Sequence, residues 1–136
     1  MRAEKLKGHL DLLLLSVLSR GPGHGYEVIT RLRERSDGAF ELPEGTVYPA
    51  LHRLEEAGLL SSDWRTVAGR RRRTYRLTAH GVAALAEQAE QWRAFSGSMA
   101  RVLEASLRPA RLVTGRPAGR WQPAARAGLA GGAVTA

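Results

Sequence analysis

Two neighbouring stretches of the chain hold the residue types that contact polyanions and base edges. The first is GTVYPALHRLEEAGLL, Gly45 to Leu60. At helical spacing Val47, Leu51 and Leu54 fall at i, i+4 and i+7, one apolar stripe that belongs against a core. The opposite side carries Tyr48, Pro49, His52, Arg53 and Glu56, where a merely solvated face would carry Lys, Glu and Gln. Arginine can address O6 and N7 of guanine with two parallel hydrogen bonds, histidine can donate or accept, and an apolar ring edge suits a thymine methyl. The second stretch follows at once. Arg65, Arg70, Arg71, Arg72, Arg73 and Arg76 lie within twelve residues, a density suited to phosphate oxygens. Either stretch alone has a plainer reading, since Arg53 has Glu55 and Glu56 in reach and a run of arginines often only decorates a wet surface. Their conjunction points to nucleic acid.

Other chemistry is poorly served. His9, His24, His52 and His80 are scattered, and the chain has no HExxH, no GxSxG, no phosphate-binding glycine loop and no cysteine. Neither catalysis, a metal site nor a cofactor is expected. The formal charge is +8 with a pI near 11.1, which favours polyanionic partners. Residues 1–106 hold 16 Lys and Arg against 13 Asp and Glu, and residues 107–136 add five arginines and no acid. No apolar run approaches the roughly 18 to 20 residues that span a bilayer. Arg2, Lys5 and Lys7 before LDLLLLSVLS resemble a signal peptide, but no small-residue cleavage site follows, so a cytoplasmic protein without a membrane partner is expected.

The elements that position these residues follow from periodicity and punctuation. Lys5 to Ser19 reads as a helix apolar nearly all round, which asks for cover on two sides, the second from another subunit. RGPGHG breaks it. Tyr26 to Arg35 reads as a second helix with Tyr26, Val28, Ile29 and Leu32 inward and Arg31, Arg33, Glu34 and Arg35 outward, and Ala39 to Leu42 as a brief strand. The third helix begins between Pro43 and Thr46. With Thr46 as N-cap, Pro49 falls in the first turn, where it costs nothing, and Gly58 is the natural stop. Leu60 to Val67 and Arg71 to Thr78 form a hairpin around Ala68-Gly69-Arg70. Thr78 caps a final helix to about Ala105, whose Val82, Leu85, Ala89, Trp92, Ser96, Met99 and Leu103 step by 3 and 4, a heptad seam suited to a second copy of the chain. The order predicts a mainly α fold: a winged helix-turn-helix over residues 1–78, a dimerisation helix over 79–106, and an Arg-, Ala-, Gly- and Pro-rich tail over 107–136 too apolar-poor to order itself.

The blocks LKGHLDLLLLSVLSRGPGHGYEV, FELPEGTVYPALHRLEEAGLL and GRRRRTYRLTAHG resemble those of the PadR family of bacterial transcriptional regulators. The resemblance runs from Leu6 to about Ala105. It implies a homodimeric repressor that binds an inverted repeat in double-stranded DNA and is released by a small aromatic or hydrophobic effector. Carried over residue by residue, it places the recognition positions on Thr46, Tyr48, Pro49, His52 and Arg53 and the wing on Gly69 to Arg73, so that Arg70, Arg71, Arg72 and Arg73 would meet phosphates. The HGYE entry to the second helix, His24 to Glu27, would offer backbone donors to a phosphate at His24 and Gly25. The single last helix resembles the family's shorter class, with a dimer interface through Leu6, Leu10, Val82, Leu85, Ala89, Trp92, Met99 and Leu103. There Trp92, counted from LTAHG, would stack on the effector, with Leu12 and Leu15 beside it. The basic tail departs from that pattern. Two rival readings remain, a basic protein coating nucleic acid without sequence preference and a winged helix used for protein interaction.

Overall fold

The computed structural model describes Leu6 and residues 8–109. In chain order it has α1 (Leu10–Leu18), β1 (Gly23–His24), α2 (Gly25–Arg35), α3 (Glu44–Glu56), β2 (Leu60–Val67), β3 (Arg70–Leu77) and α4 (Ala79–Leu107). The fold is mainly α, with a two-stranded wing and a long C-terminal helix. β2 and β3 pair antiparallel along their whole length, from Leu60 opposite Leu77 to Val67 opposite Arg70. The RGPGHG turn ends in the short β1, which lies on the other edge of β3 with Gly23 opposite Tyr75 and His24 opposite Thr74. Contacts group the first part of α4 with the body, up to Gly97. The rest of α4 is exposed. Residues 110–136, most of the predicted tail, lie outside the described residues.

Apolar stripes of three helices and the base of the wing make the core. Leu14 and Leu15 of α1, Val28 of α2, Val47, Leu51 and Leu54 of α3, Leu60 of β2 and Tyr75 of β3 are buried. Some expectations are corrected. α1 begins at Leu10 rather than Lys5, because Gly8 stands at φ +91, a conformation a right-handed helix cannot pass through. Leu6, ahead of that break, folds into the core. Ala39 to Leu42 forms no strand; Leu42 is buried and Phe40 packs against the core, which fixes the segment without a ladder partner. Tyr26, read as inward, is 56% exposed. Arg31, read as outward, turns back and donates to the carbonyls of Gly21 at 2.9 Å and Pro22 at 2.7 Å, tying the loop before β1.

Three junctions set where α3 and the wing stand. The N-cap of α3 is Pro43 rather than Thr46. Pro49 is therefore inside the helix and forfeits a bond to the carbonyl of Gly45, an exposed residue where water can take the partner's place. At the other end Gly58, at φ +82, closes a Schellman motif: its N–H donates to Glu55 at 2.9 Å and that of Leu59 to Leu54 at 3.0 Å. The wing turns on Ala68 and Gly69, both at positive φ, as a two-residue hairpin requires. Thr78 caps α4, accepting from the Gly81 N–H at 3.0 Å and donating to the Gly58 carbonyl at 2.6 Å. Gly81 has no room for a side chain, since a Cβ there would overlap the carbonyl of Leu59. α4 thus starts directly on the backbone that ends α3.

Candidate nucleic-acid interface

The outward side of α3 presents what the spacing foretold. Pro49, His52 and Arg53 are exposed, and Thr46 and Tyr48 are half-buried. Tyr48 leans over the start of α2 so closely that a Cβ on Gly25 would overlap its ring. The His52 ring lies 6.5 Å from that of Tyr75. A groove of about 410 Å³ runs between the start of α2, α3 and the wing, with Tyr48, His52, Trp64, Arg71, Arg72 and Arg73 among its lining residues. Arg53 does not pair with Glu55 or Glu56. Its Nη1 donates to Asp11 Oδ2 of α1 at 2.9 Å, and that bond raises its pKa above the ordinary arginine value.

The wing arginines sort into two groups by their partners. Arg65 and Arg76 share the carboxylate of Asp63, each at 3.3 Å. Desolvation alone would raise the Asp63 pKa; the bonds and charges of the two arginines outweigh it and hold the carboxyl below its usual range. Arg73 donates to Ser62 Oγ at 2.9 Å and stands 3.7 Å from Glu55, so it braces the wing against α3. Arg70, Arg71 and Arg72 have no carboxylate partner among the described residues, and Arg70 and Arg71 are exposed. These three carry uncompensated charge. Trp64, absent from the sequence reading, lies against Arg71 and Arg73; its place opposite Arg73 in a two-faced hairpin was the available signal.

The HGYE entry is more self-contained than the resemblance implied. His24 is buried, and its Nδ1 accepts from the Glu27 N–H at 3.3 Å while Glu27 Oε1 accepts from the His24 N–H at 3.1 Å. This reciprocal capping box already occupies two amide donors at the helix start. Desolvation lowers the His24 pKa; Glu27 opposes that, and Arg72 and Arg31 add to it. Gly25 is buried under Tyr48, and Tyr26 is the exposed side chain of the motif.

Between α1 and α4, a cavity of about 390 Å³ is lined by Gly8, His9, Asp11, Leu12, Gln88, Gln91, Trp92 and Phe95. Trp92 meets the His9 ring edge-on at 5.1 Å and the Phe95 ring at 5.9 Å. Leu12 lines this cavity, but Leu15 does not: it is fully buried in the core and cannot touch a guest there, which corrects its place beside Trp92. The expected seam is also redistributed. Leu6 is buried in the protomer's own core, and Leu10 and Leu85 pack against it. Ala89 is half-buried, while Val82, Trp92, Met99 and Leu103 stay exposed.

The model of the transcriptional regulator PadR-like family matches residues 14–87, a span that takes in α2, α3 and the wing. The chain belongs to the PadR family. It is similar to transcriptional regulator Rv3488 of Mycobacterium tuberculosis, 53% identical over 55 residues, which cover 40% of this chain and 51% of that one. An uncharacterised protein of Lysinibacillus sphaericus is 30% identical over 93 residues, 68% of this chain and 85% of its own. Among solved structures, a PadR family transcription regulator from Clostridium difficile superposes with a TM-score of 0.64 at 36% identity, covering 71% of this chain and 99% of that one. PadR-family proteins are transcriptional regulators rather than enzymes, and among the described residues no three His, Asp or Glu gather as a metal site. No described helix is long and apolar enough to cross a membrane.

Proposed function

We propose that this PadR-family regulator acts as a homodimeric repressor that reads an inverted-repeat operator in double-stranded DNA. The observation that carries the reading is the groove that brings Tyr48 and His52 on α3 together with Arg71 and Arg72 on the adjoining wing, neither of which has a carboxylate partner among the described residues. In this reading α3 enters the major groove, its side chains give sequence preference, and the wing supplies phosphate contacts. Exposed apolar residues recur along α4, from Val82 and Trp92 to Met99, Val102, Leu103 and Leu107, and a partner's helices would cover them. Two such protomers would set their α3 helices in successive major grooves, about 34 to 36 Å apart.

The cavity beside Trp92 supports an effector response. Asp11 both lines it and holds Arg53 of α3, so a guest that draws on this carboxylate acts on a reading residue. A flat aromatic guest entering this cavity would meet the Trp92, His9 and Phe95 rings, and it would shift the equilibrium only by binding one state better.

The test is fluorescence anisotropy of the full chain with DNA from upstream of its own gene against a scrambled duplex, at several salt concentrations. Preference for the upstream duplex that survives added salt supports the reading. Equal binding to both, collapsing with salt, would replace it with non-specific coating.

A further inference from the structure

Trp64 stands on β2, 54% exposed, beside α3. It pairs with Arg73, and residues two apart on a strand share a face, so Arg71 and Arg73 both lie on its side of the hairpin. Their guanidinium carbons are 5.1 and 5.6 Å from a ring centroid of the indole, inside the roughly 6 Å over which cation–π attraction acts. What else the two arginines touch differs. Arg73 is held by Ser62 Oγ, and Ser62 in turn donates to Glu55 Oε2 at 2.7 Å, the carboxylate that Arg73 also faces. Glu55 belongs to α3. The indole is therefore flanked by a guanidinium fixed to α3 and by one with no carboxylate partner among the described residues.

We propose that Trp64 is a positioning residue of the DNA interface, holding the Arg71 guanidinium at a set distance from α3 so that it meets a backbone phosphate while α3 lies in the groove. This rests on the DNA-binding reading above. An exposed arginine on a flexible stem must otherwise be ordered when it binds, and pre-ordering it removes part of that cost from association. The chain Glu55, Ser62, Arg73, Trp64, Arg71 links the reading helix to the phosphate contact by side chains alone.

The experiment is a double-mutant cycle with the full-length protein and the upstream duplex, read by anisotropy across salt concentrations. Trp64→Ala should weaken binding about three- to tenfold, the range of a cation–π contact, and lower the salt slope although every formal charge remains. In the Arg71→Ala background the same change should cost little more, and Trp64→Phe, which keeps a ring face, should restore much of the loss. Additive losses from Trp64→Ala and Arg71→Ala would overturn the proposal. So would equal losses from Trp64→Ala and Trp64→Phe that track lowered thermal stability, since those mark a role in folding only. If the wild-type protein shows no preference for the upstream duplex, the DNA reading itself fails, and the cycle is not what refutes it.

Discussion

Replacing Arg71 and Arg72 by alanine tests how the wing's charge is divided. Six arginines lie from Arg65 to Arg76, but three are engaged with Asp63 or Glu55, and in the proposed reading Arg70, Arg71 and Arg72 would be the ones to neutralise phosphates. Each phosphate neutralised on duplex DNA contributes about −0.9 to the slope of log K against log salt. Removing two contacts per protomer should flatten that slope by about 1.8, and by about 3.6 when two protomers occupy one site. Over a fourfold rise in salt, the variant would then lose on the order of 100-fold less affinity than the wild type. Arg76→Ala is the comparison, because its guanidinium is already tied to Asp63 at the base of the wing, and it should change the slope far less. Anisotropy titrations of one duplex at four or five salt concentrations give all three slopes. An unchanged slope in the double variant, or an equal change in Arg76→Ala, would refute the division.

Four further outcomes follow from single contacts. Gly81→Ala should destabilise the protein by about 1 to 3 kcal/mol in denaturant titrations, because the new Cβ overlaps the Leu59 carbonyl and must push α4 away; unchanged stability would contradict that packing. The His24 pKa is lowered by folding, so its contribution is fully present above the unfolded value near 6.5 and is lost as pH falls through the folded one. Melting temperature should thus drop between pH 7 and pH 5, and His24→Asn, which caps without titrating, should shrink the drop. Asp11→Asn should alter preference among single-base variants of the operator by releasing Arg53, with little effect on stability because both partners are substantially exposed. Leu103→Glu should shift the protein toward monomer in sedimentation velocity if α4 forms the dimer seam.

How much the sequence revealed depended on whether a local rule decided the matter. The α3 stripe of Val47, Leu51 and Leu54, the stop at Gly58 and the cap at Thr78 are matters of neighbouring residues, and the structure has them where periodicity and turn chemistry require; the hairpin bend, expected over Ala68-Gly69-Arg70, is tighter, with Arg70 already paired to Val67 in β3. What escaped depended on distant partners. β1 is two residues long and exists because β3 offers a free edge. The cap of α3 moved to Pro43, and Arg53 found Asp11, 42 positions away, instead of the carboxylates beside it. Trp64 drew no notice because a lone tryptophan has no motif. Only the ladder register shows which arginines share its face.

α1 shows how one short helix divides its apolar side chains among several neighbours. Its leucines on nearly every side suggested cover by a second subunit. Within one protomer Leu14, Leu15, Val17 and Leu18 fill the core and Leu12 lines the Trp92 cavity, while Leu10, Leu12 and Leu13 stay half-buried. One carboxylate, Asp11, interrupts the leucines, and it is bonded to the recognition helix. That single residue both lines the cavity and holds Arg53, while the leucines of the same helix hold the core. A shift of this nine-residue helix would either carry Arg53 with it or release it, since the 2.9 Å bond between two substantially exposed side chains is weak enough to break. If the proposed effector and DNA readings hold, Asp11 would couple the cavity to α3 within each protomer, and a partner subunit would add cover to α4 without having to create the link.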